Sequence, residues 1–201
     1  MSRFIESIKI EDQQMYLLDL HQRRVDETFA HFGKEGSINL AKIYKSLEHD
    51  GDGLFKLKIS YDLDKNFRTQ IIPYAISEID SFRLVENNSY DYSFKFEDRA
   101  PLELMLRQAK TDEIIIVKNN HITDTSFSNI LFKKGKDWFT PTTCLLNGVQ
   151  RQHLLKTKKI KSAEITVQNL NEYSHFQLIN AMNDFDDMFI YPLPKINNLP
   201  E

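Results

Sequence analysis

Residues 112–130 read Asp112-Glu113-Ile114-Ile115-Ile116-Val117-Lys118-Asn119-Asn120-His121-Ile122-Thr123-Asp124-Thr125-Ser126-Phe127-Ser128-Asn129-Ile130, and Leu146-Asn147-Gly148-Val149-Gln150-Arg151-Gln152 follows. The first stretch predicts a strand over Glu113–Lys118 and the start of another over Ser128–Lys133; Asp137–Phe139 predicts a third. Asn147 is a good N-cap, so a helix is expected over Gly148–Leu155 with the amides of Gly148, Val149 and Gln150 unpaired at its start. A helix N-terminus of this kind stabilises a phosphate dianion. Short strands leading to such a helix describe an α+β lobe.

Working outward, Pro101 suits the first turn of an apolar helix running to Ala109. Further strands are expected at Ala163–Val167 and Met188–Tyr191, and another helix over His175–Met182. On the N-terminal side, the polar cluster Glu86-Asn87-Asn88-Ser89 reads as an interdomain connection. Before it, Ser2–Ile10 reads as a strand, with Met15–Leu18 as its hairpin partner. Asp19 is expected to cap a helix that carries Val25, Phe29 and Phe32 on one face, with Gly33 ending it. A second helix is expected from Ser37 to Leu47, then a turn at Asp50–Gly53. Strands follow at Leu54–Leu63, Phe67–Ile76 and Ile79–Val85, the first two joined by a tight turn at Asp64-Lys65-Asn66. The reading is an α+β protein of two lobes. Residues 1–86 form a small sheet with helices, and residues 87–201 form a β-rich domain with helices.

Composition excludes several classes. The 201 residues carry 26 Lys and Arg against 29 Asp and Glu, a net charge of −3, which gives no basic face for nucleic acid. Fourteen Phe and eight Tyr supply a core that a disordered chain lacks. The single cysteine, Cys144, rules out an intrachain disulfide framework. No apolar run approaches the ~18–20 residues that cross a bilayer, and the early acidic residues do not suit a signal peptide. A cytoplasmic protein without membrane or nucleic-acid partners is expected. Two motifs are decoys. Asp62–Asn66 starts like a calcium loop, but Phe67 and Pro73 stand where Gly and Glu are needed. The six His residues include no pair at metal-ligand spacing within one helix, so no metal is expected.

Segments in order along the chain resemble the fold-type IV pyridoxal-phosphate enzymes, which include branched-chain and D-amino-acid aminotransferases and aminodeoxychorismate lyase. Ile5-Glu6-Ser7-Ile8 is similar to the family's F-E-T-I strand, and His21-Gln22-Arg23-Arg24-Val25 to its H-x-x-R-L helix. Asp112-Glu113-Ile114-Ile115 followed by Thr123-Asp124 and Asn129 resembles its D-E run and T-E-x-x-x-x-N. Thr140-Pro141 and Leu146-Asn147-Gly148-Val149-Gln150-Arg151 match its T-P and L-x-G-x-x-R elements.

The resemblance implies pyridoxal 5'-phosphate as cofactor and assigns its contacts. Lys95, between Phe94 and Phe96, would be the Schiff-base lysine and proton carrier. Asp124, where the family usually has Glu, would be the anion beside the pyridine nitrogen. Gly148, Val149 and Gln150 would hold the phosphate at the helix start, with Arg24 gripping it by bidentate hydrogen bonds. The alternatives are ordinary ones: a solvated Lys95, a turn Asp124, and an Arg24 paired on the surface with Asp26 or Glu27.

The reaction is read from two spellings. Lys95-Phe96-Glu97-Asp98-Arg99 resembles the K-x-x-N-R of aminodeoxychorismate lyase, with Asp98 in place of Asn, and Asn147–Gln152 its N-G-x-x-R-Q. This implies conversion of 4-amino-4-deoxychorismate to 4-aminobenzoate and pyruvate, a step of folate biosynthesis, with Lys95 removing the C4 proton. Arg99 would contact the cofactor's phenolic oxygen or a substrate carboxylate, or else pair with Glu97 or Asp98. Ala181 and Met182 fall where the family has a small-residue loop whose amides bind substrate carboxylate; the alternative is a packed helix end. An aminotransferase of small amino acids and a non-catalytic relative are the competing readings. The chain starts almost at the F-E-T-I strand, so a more open site, or one filled by a partner in a homodimer, is expected.

Overall fold

In β1 (Phe4–Glu11), Phe4, Glu6, Ile8 and Ile10 fall on one side of the strand by simple alternation, and all four are buried. The side is the one that packs on the helix following the hairpin strand β2 (Gln14–Met15). That helix, α1 (Leu18–His31), opposes them with Val25 and Phe29. The structure, a computed structural model, describes residues 3–48, 51–185 and 189–200. They divide into two compact units, Met1–Ile76 with Phe94–Asp98 and Ser77–Ser93 with Arg99–Glu201. The arrangement is a mixed α+β fold of strands with few helices.

In the first unit β3 (Leu54–Tyr61) and β4 (Phe67–Pro73) complete an antiparallel sheet of order β2-β1-β3-β4. The register sets Phe4 opposite Tyr61 and Ile8 opposite Leu57, so the aromatic and aliphatic groups of both strands share one core. The expected hairpin turn is present, with Lys65 at φ 67°. Asp62 uses its carboxylate on the amides of Asp64 and Asn66, which accounts for the calcium-like spelling as turn chemistry. Several boundaries differ. Leu17, at φ 54°, starts α1, and Asp19 lies inside its first turn rather than capping it. Phe32 follows the helix and is half exposed, while its ring still packs against Phe4 at 5.5 Å. The second helix, α2 (Leu40–Lys45), begins only where Asn39 accepts from the Lys42 amide. Asp50 of the Asp50–Gly53 turn lies outside the described residues, as does Ser2.

The expected seam at residue 86 is not where the chain divides. β5 (Phe82–Glu86) runs parallel to β6 (Glu113–Lys118), so the strand read as the last of the first lobe belongs to the second sheet. Residues 94–98 return to the first unit, where the Ile5 amide donates to the Lys95 carbonyl at 2.9 Å and the Glu97 amide to Arg3 at 2.8 Å. Lys95 therefore sits in the first unit, not the C-terminal domain.

The second unit starts its helical part with α3 (Ala100–Ala109), Pro101 in its first turn as expected. β7 (His121–Thr125), β8 (Asn129–Lys134), β9 (Asp137–Pro141) and β10 (Lys161–Ala163) extend the sheet in the order β10-β9-β8-β7-β6-β5. α4 (Val149–Lys156) lies between β9 and β10 in sequence. The helix expected over His175–Met182 is instead β11 (His175–Ile179), antiparallel to β8 and paired with β12 (Tyr191–Pro192). Phe176 and Leu178 recur at the strand period and enter a core with Phe82, Ile130, Phe132 and Tyr191, so pairing with β8 overrides the helical reading. Met188, expected to begin the last strand, lies outside the described residues.

Candidate active site

Glu6 has no exposure at all, and an isolated carboxylate there would be costly. α1 answers it with His21 and Arg24, which share the helix's buried side with Val25 and Thr28. Arg24 donates from Nε to Glu6 Oε1 at 2.9 Å and from Nη2 to Oε2 at 2.5 Å. His21 Nδ1 lies 2.5 Å from the same Oε2. Burial alone would push the Glu6 carboxyl up; the Arg24 guanidinium and the His21 contact outweigh it and hold the group at about 2. Burial lowers the pKa of His21 against the upward pull of its Glu6 contact, and its Nε2 has no hydrogen-bond partner among the described residues. Arg24 is thus neither a surface partner of Asp26 or Glu27 nor available for a bidentate grip on phosphate through its Nε–Nη2 edge, because Glu6 occupies that edge.

Lys95 is half-buried beside this cluster, close enough for its charge to oppose protonation of His21. Its neighbours fix the backbone around it: Phe94 packs on His31 at 4.5 Å and Phe96 on Phe4 at 5.2 Å. The segment is irregular, with only Phe96 bridging to Phe4.

In the second unit, Asp124 is buried on β7 directly across from Asn129 on β8. Asn129 Nδ2 donates to Asp124 Oδ1 at 2.8 Å and also to the Leu146 carbonyl at 2.8 Å. The Leu146 amide donates to Asp124 Oδ2 at 2.9 Å. Burial raises the Asp124 carboxyl to about 6, against the opposing pull of these donors and of Arg151. Burial thus works against its ionised form, and the donors and Arg151 work for it.

α4 begins one residue later than expected. Gly148 is the N-cap, with its amide bonded to the Leu146 carbonyl at 2.9 Å, and Asn147 does not cap. The Asn147 side chain instead accepts from Arg151 Nη1 at 2.9 Å. Arg151 also reaches Thr140 Oγ1 and the Pro141 carbonyl, tying the Thr140-Pro141 element to the helix start. Val149 and Gln150 occupy the first two helical positions, whose amides have no intrahelical acceptor. The phosphate donors of the sequence reading are thereby reduced to these two. Gly148 has a different job: a Cβ there would lie 2.2 Å from Asn129 Oδ1.

Arg99, at the N-cap of α3, donates to the Ser126 carbonyl at 2.8 Å, while Glu97 is engaged by Ser60. Ser126 in turn donates from its amide and hydroxyl to the buried Glu113, whose carboxyl burial pushes up. Ala181 and Met182 lie in a turn after β11, not at a helix end. The Met182 amide is bonded to Asn180 Oδ1 at 2.8 Å, so it is not available to a substrate carboxylate in this arrangement.

The cluster around Glu6 escaped the sequence reading, although the signal was present. Glu6 falls in step with Phe4, Ile8 and Ile10, and His21, Arg24, Val25 and Thr28 are spaced i, i+3, i+4, i+7. Asn129 was matched as a motif residue and given no task. Among the described residues no group of three or more His, Cys, Asp or Glu could hold a metal, and no helix is long and apolar enough to cross a membrane.

The donor chemistry suits pyridoxal phosphate: a buried carboxylate for a ring nitrogen, a helix start with two amides for a phosphate, and a half-buried lysine among aromatics. Residues 3–185 match the family described as amino-transferase class IV, and the chain belongs to it. It is a pyridoxal-phosphate-dependent enzyme of that class, as its family is. A protein from Haemophilus somnus 129PT named "putative 4-amino-4-deoxychorismate lyase" shares 34% identity and a TM-score of 0.85, over 92% of this chain and 98% of that one. The branched-chain amino acid aminotransferase of Escherichia coli has the same fold at 13% identity and a TM-score of 0.73, over 98% of this chain and 77% of its own. An uncharacterised Haemophilus influenzae protein is 28% identical over 91% of this chain and 99% of its own length.

Proposed function

We propose that the chain is an aminodeoxychorismate lyase, releasing 4-aminobenzoate and pyruvate from 4-amino-4-deoxychorismate. The observation that carries this is the likeness to the Haemophilus somnus protein of that name, at 34% identity over nearly the full length of both chains. The Lys95-to-Arg99 and Asn147-to-Gln152 spellings support it independently.

The cofactor, when bound, supplies an aldehyde to bind amines and a ring that absorbs negative charge. Lys95 would anchor it, and its amine when free would serve as the general base for the C4 proton. Asp124 presents a carboxylate to the ring nitrogen and keeps it protonated. Val149 and Gln150 hold the phosphate by their amides, and Arg24, whose Nε–Nη2 edge is on Glu6, adds positive charge and the donors of its remaining edge. Arg99, already aimed at the Ser126 carbonyl, orients a substrate carboxylate or the cofactor's phenolic oxygen. Ala181, in the turn after β11, offers its amide to a substrate carboxylate. The working form is a homodimer, the commonest closed assembly.

The test is turnover with 4-amino-4-deoxychorismate and no keto acid. A lyase returns to its starting form after each cycle and accumulates aminobenzoate and pyruvate in equal amounts. An aminotransferase stalls after one turnover, recovers with 2-oxoglutarate and makes no aminobenzoate; that result would replace the lyase reading.

A further inference from the structure

We propose that Asn129 is a positioning residue that locks the Asp124 carboxylate and the start of α4 into one frame, so that the anion for a ring nitrogen and the amides for a phosphate keep a fixed spacing. The inference rests on the cofactor roles proposed above, but its geometry is the protein's own. Both hydrogens of the Asn129 amide are committed, one to Asp124 Oδ1 and one to the Leu146 carbonyl, each at 2.8 Å. The Leu146 amide closes the ring on Asp124 Oδ2 at 2.9 Å. One planar group thus joins a residue of β7 to the peptide two positions before the N-cap of α4.

The remaining atom of the same amide sets the third constraint. Asn129 Oδ1 occupies the space where any Cβ at position 148 would lie, at 2.2 Å, so the helix start approaches β8 as closely as only glycine permits. No other side chain reproduces this. Asp lacks the donors, Ser has one, and Gln is a methylene too long for a contact already this close. Cofactor sites depend on such outer contacts, because a ligand is held only as well as its ligating groups are oriented. Among the described residues, the charged and titratable groups acting on Asp124 are Arg151, which favours its ionised form, and the Cys144 thiol.

The test uses cofactor-free protein with carbon-13 in its Asp carboxyls, so that Asp124 is titrated directly by NMR while the Val149 and Gln150 amides are followed in the same samples. Asn129→Ala should raise the Asp124 midpoint by about one unit through loss of a donor to the carboxylate, and shift both amides. Gly148→Ala keeps every polar group but displaces Asn129, and should act in the same direction. In the Asn129→Ala background Gly148→Ala should add little, since the atom it collides with is gone. Each single variant should weaken pyridoxal phosphate binding about tenfold. In the wild type, the Asn129 amide protons should exchange slowly with solvent; this reading stands even if Asn129→Ala does not fold. An unchanged Asp124 midpoint in folded variants, additive effects of the two substitutions, or rapid exchange of those protons would overturn the proposal. Failure of the wild type to bind pyridoxal phosphate would instead remove the cofactor roles and leave the lock to be judged by NMR.

Discussion

Glu6→Gln removes the negative charge from the centre of the first unit while nearly keeping its volume. Glu6 is held at about 2 against an ordinary 4.5, which corresponds to about 3 kcal/mol of folding stability at roughly 1.4 kcal/mol per unit. The sign follows from the lowered value. The contribution is complete above pH 4.5, where the unfolded chain is also ionised, and it fades as the pH falls toward 2. The variant further leaves Arg24, 9% exposed, without its counter-charge, and breaking such a pair costs about 3–5 kcal/mol. At pH 7 the first unit should therefore lose about 3 kcal/mol or more, read from urea unfolding by circular dichroism. The chain's one tryptophan, Trp138, belongs to the second unit, and its fluorescence serves as an internal control. The gap between wild type and variant should narrow steadily from pH 4.5 to pH 2. A gap of the same size at both ends, or a loss below about 1 kcal/mol at pH 7, would refute the reasoning.

Other expectations follow from the second unit and from the lysine. Because burial raises Asp124 from 3.8 to about 6, ionising it costs stability, so wild type should lose stability relative to Asp124→Asn as the pH rises from 4 to 6, measured by thermal unfolding across that range. Arg151→Ala strips three acceptors of their donor and should destabilise the second unit by about 2–4 kcal/mol, seen as a lower Trp138 unfolding midpoint. Arg99→Ala should lower kcat/KM with aminodeoxychorismate by on the order of 1.5–3 kcal/mol while leaving cofactor absorbance intact, if Arg99 meets the substrate.

Much of the fold was legible because its signals are local. The turn at Asp64-Lys65-Asn66, Pro101 at the start of α3 and the apolar run of β6 each carry their own instructions. What failed was non-local. β11 has apolar residues at a spacing that a short window cannot separate from a helix, and only β8 beside it decides the matter. β5 reads equally well as the end of one sheet or the edge of another, and its parallel pairing with β6 settles which. The candidate residues were found through the resemblance, but their partners were not. Glu6 against Arg24, and Asn129 against Gly148, are contacts between segments distant in sequence. The residue types gave the chemistry, while the hydrogen bonds show what each side chain is already doing. That is why Arg24 emerges as a charge held by Glu6 and Gly148 as a close approach.

The central claim is that Lys95 carries the cofactor. Purified protein saturated with pyridoxal phosphate, reduced with borohydride, digested and sequenced by mass spectrometry gives the direct answer. The account expects a violet-absorbing chromophore that disappears on reduction, with a pyridoxyl label on the peptide containing Lys95 and on no other lysine, and no label in Lys95→Ala. A colourless protein that takes up no cofactor, or a label at another lysine such as the buried Lys9, would contradict it.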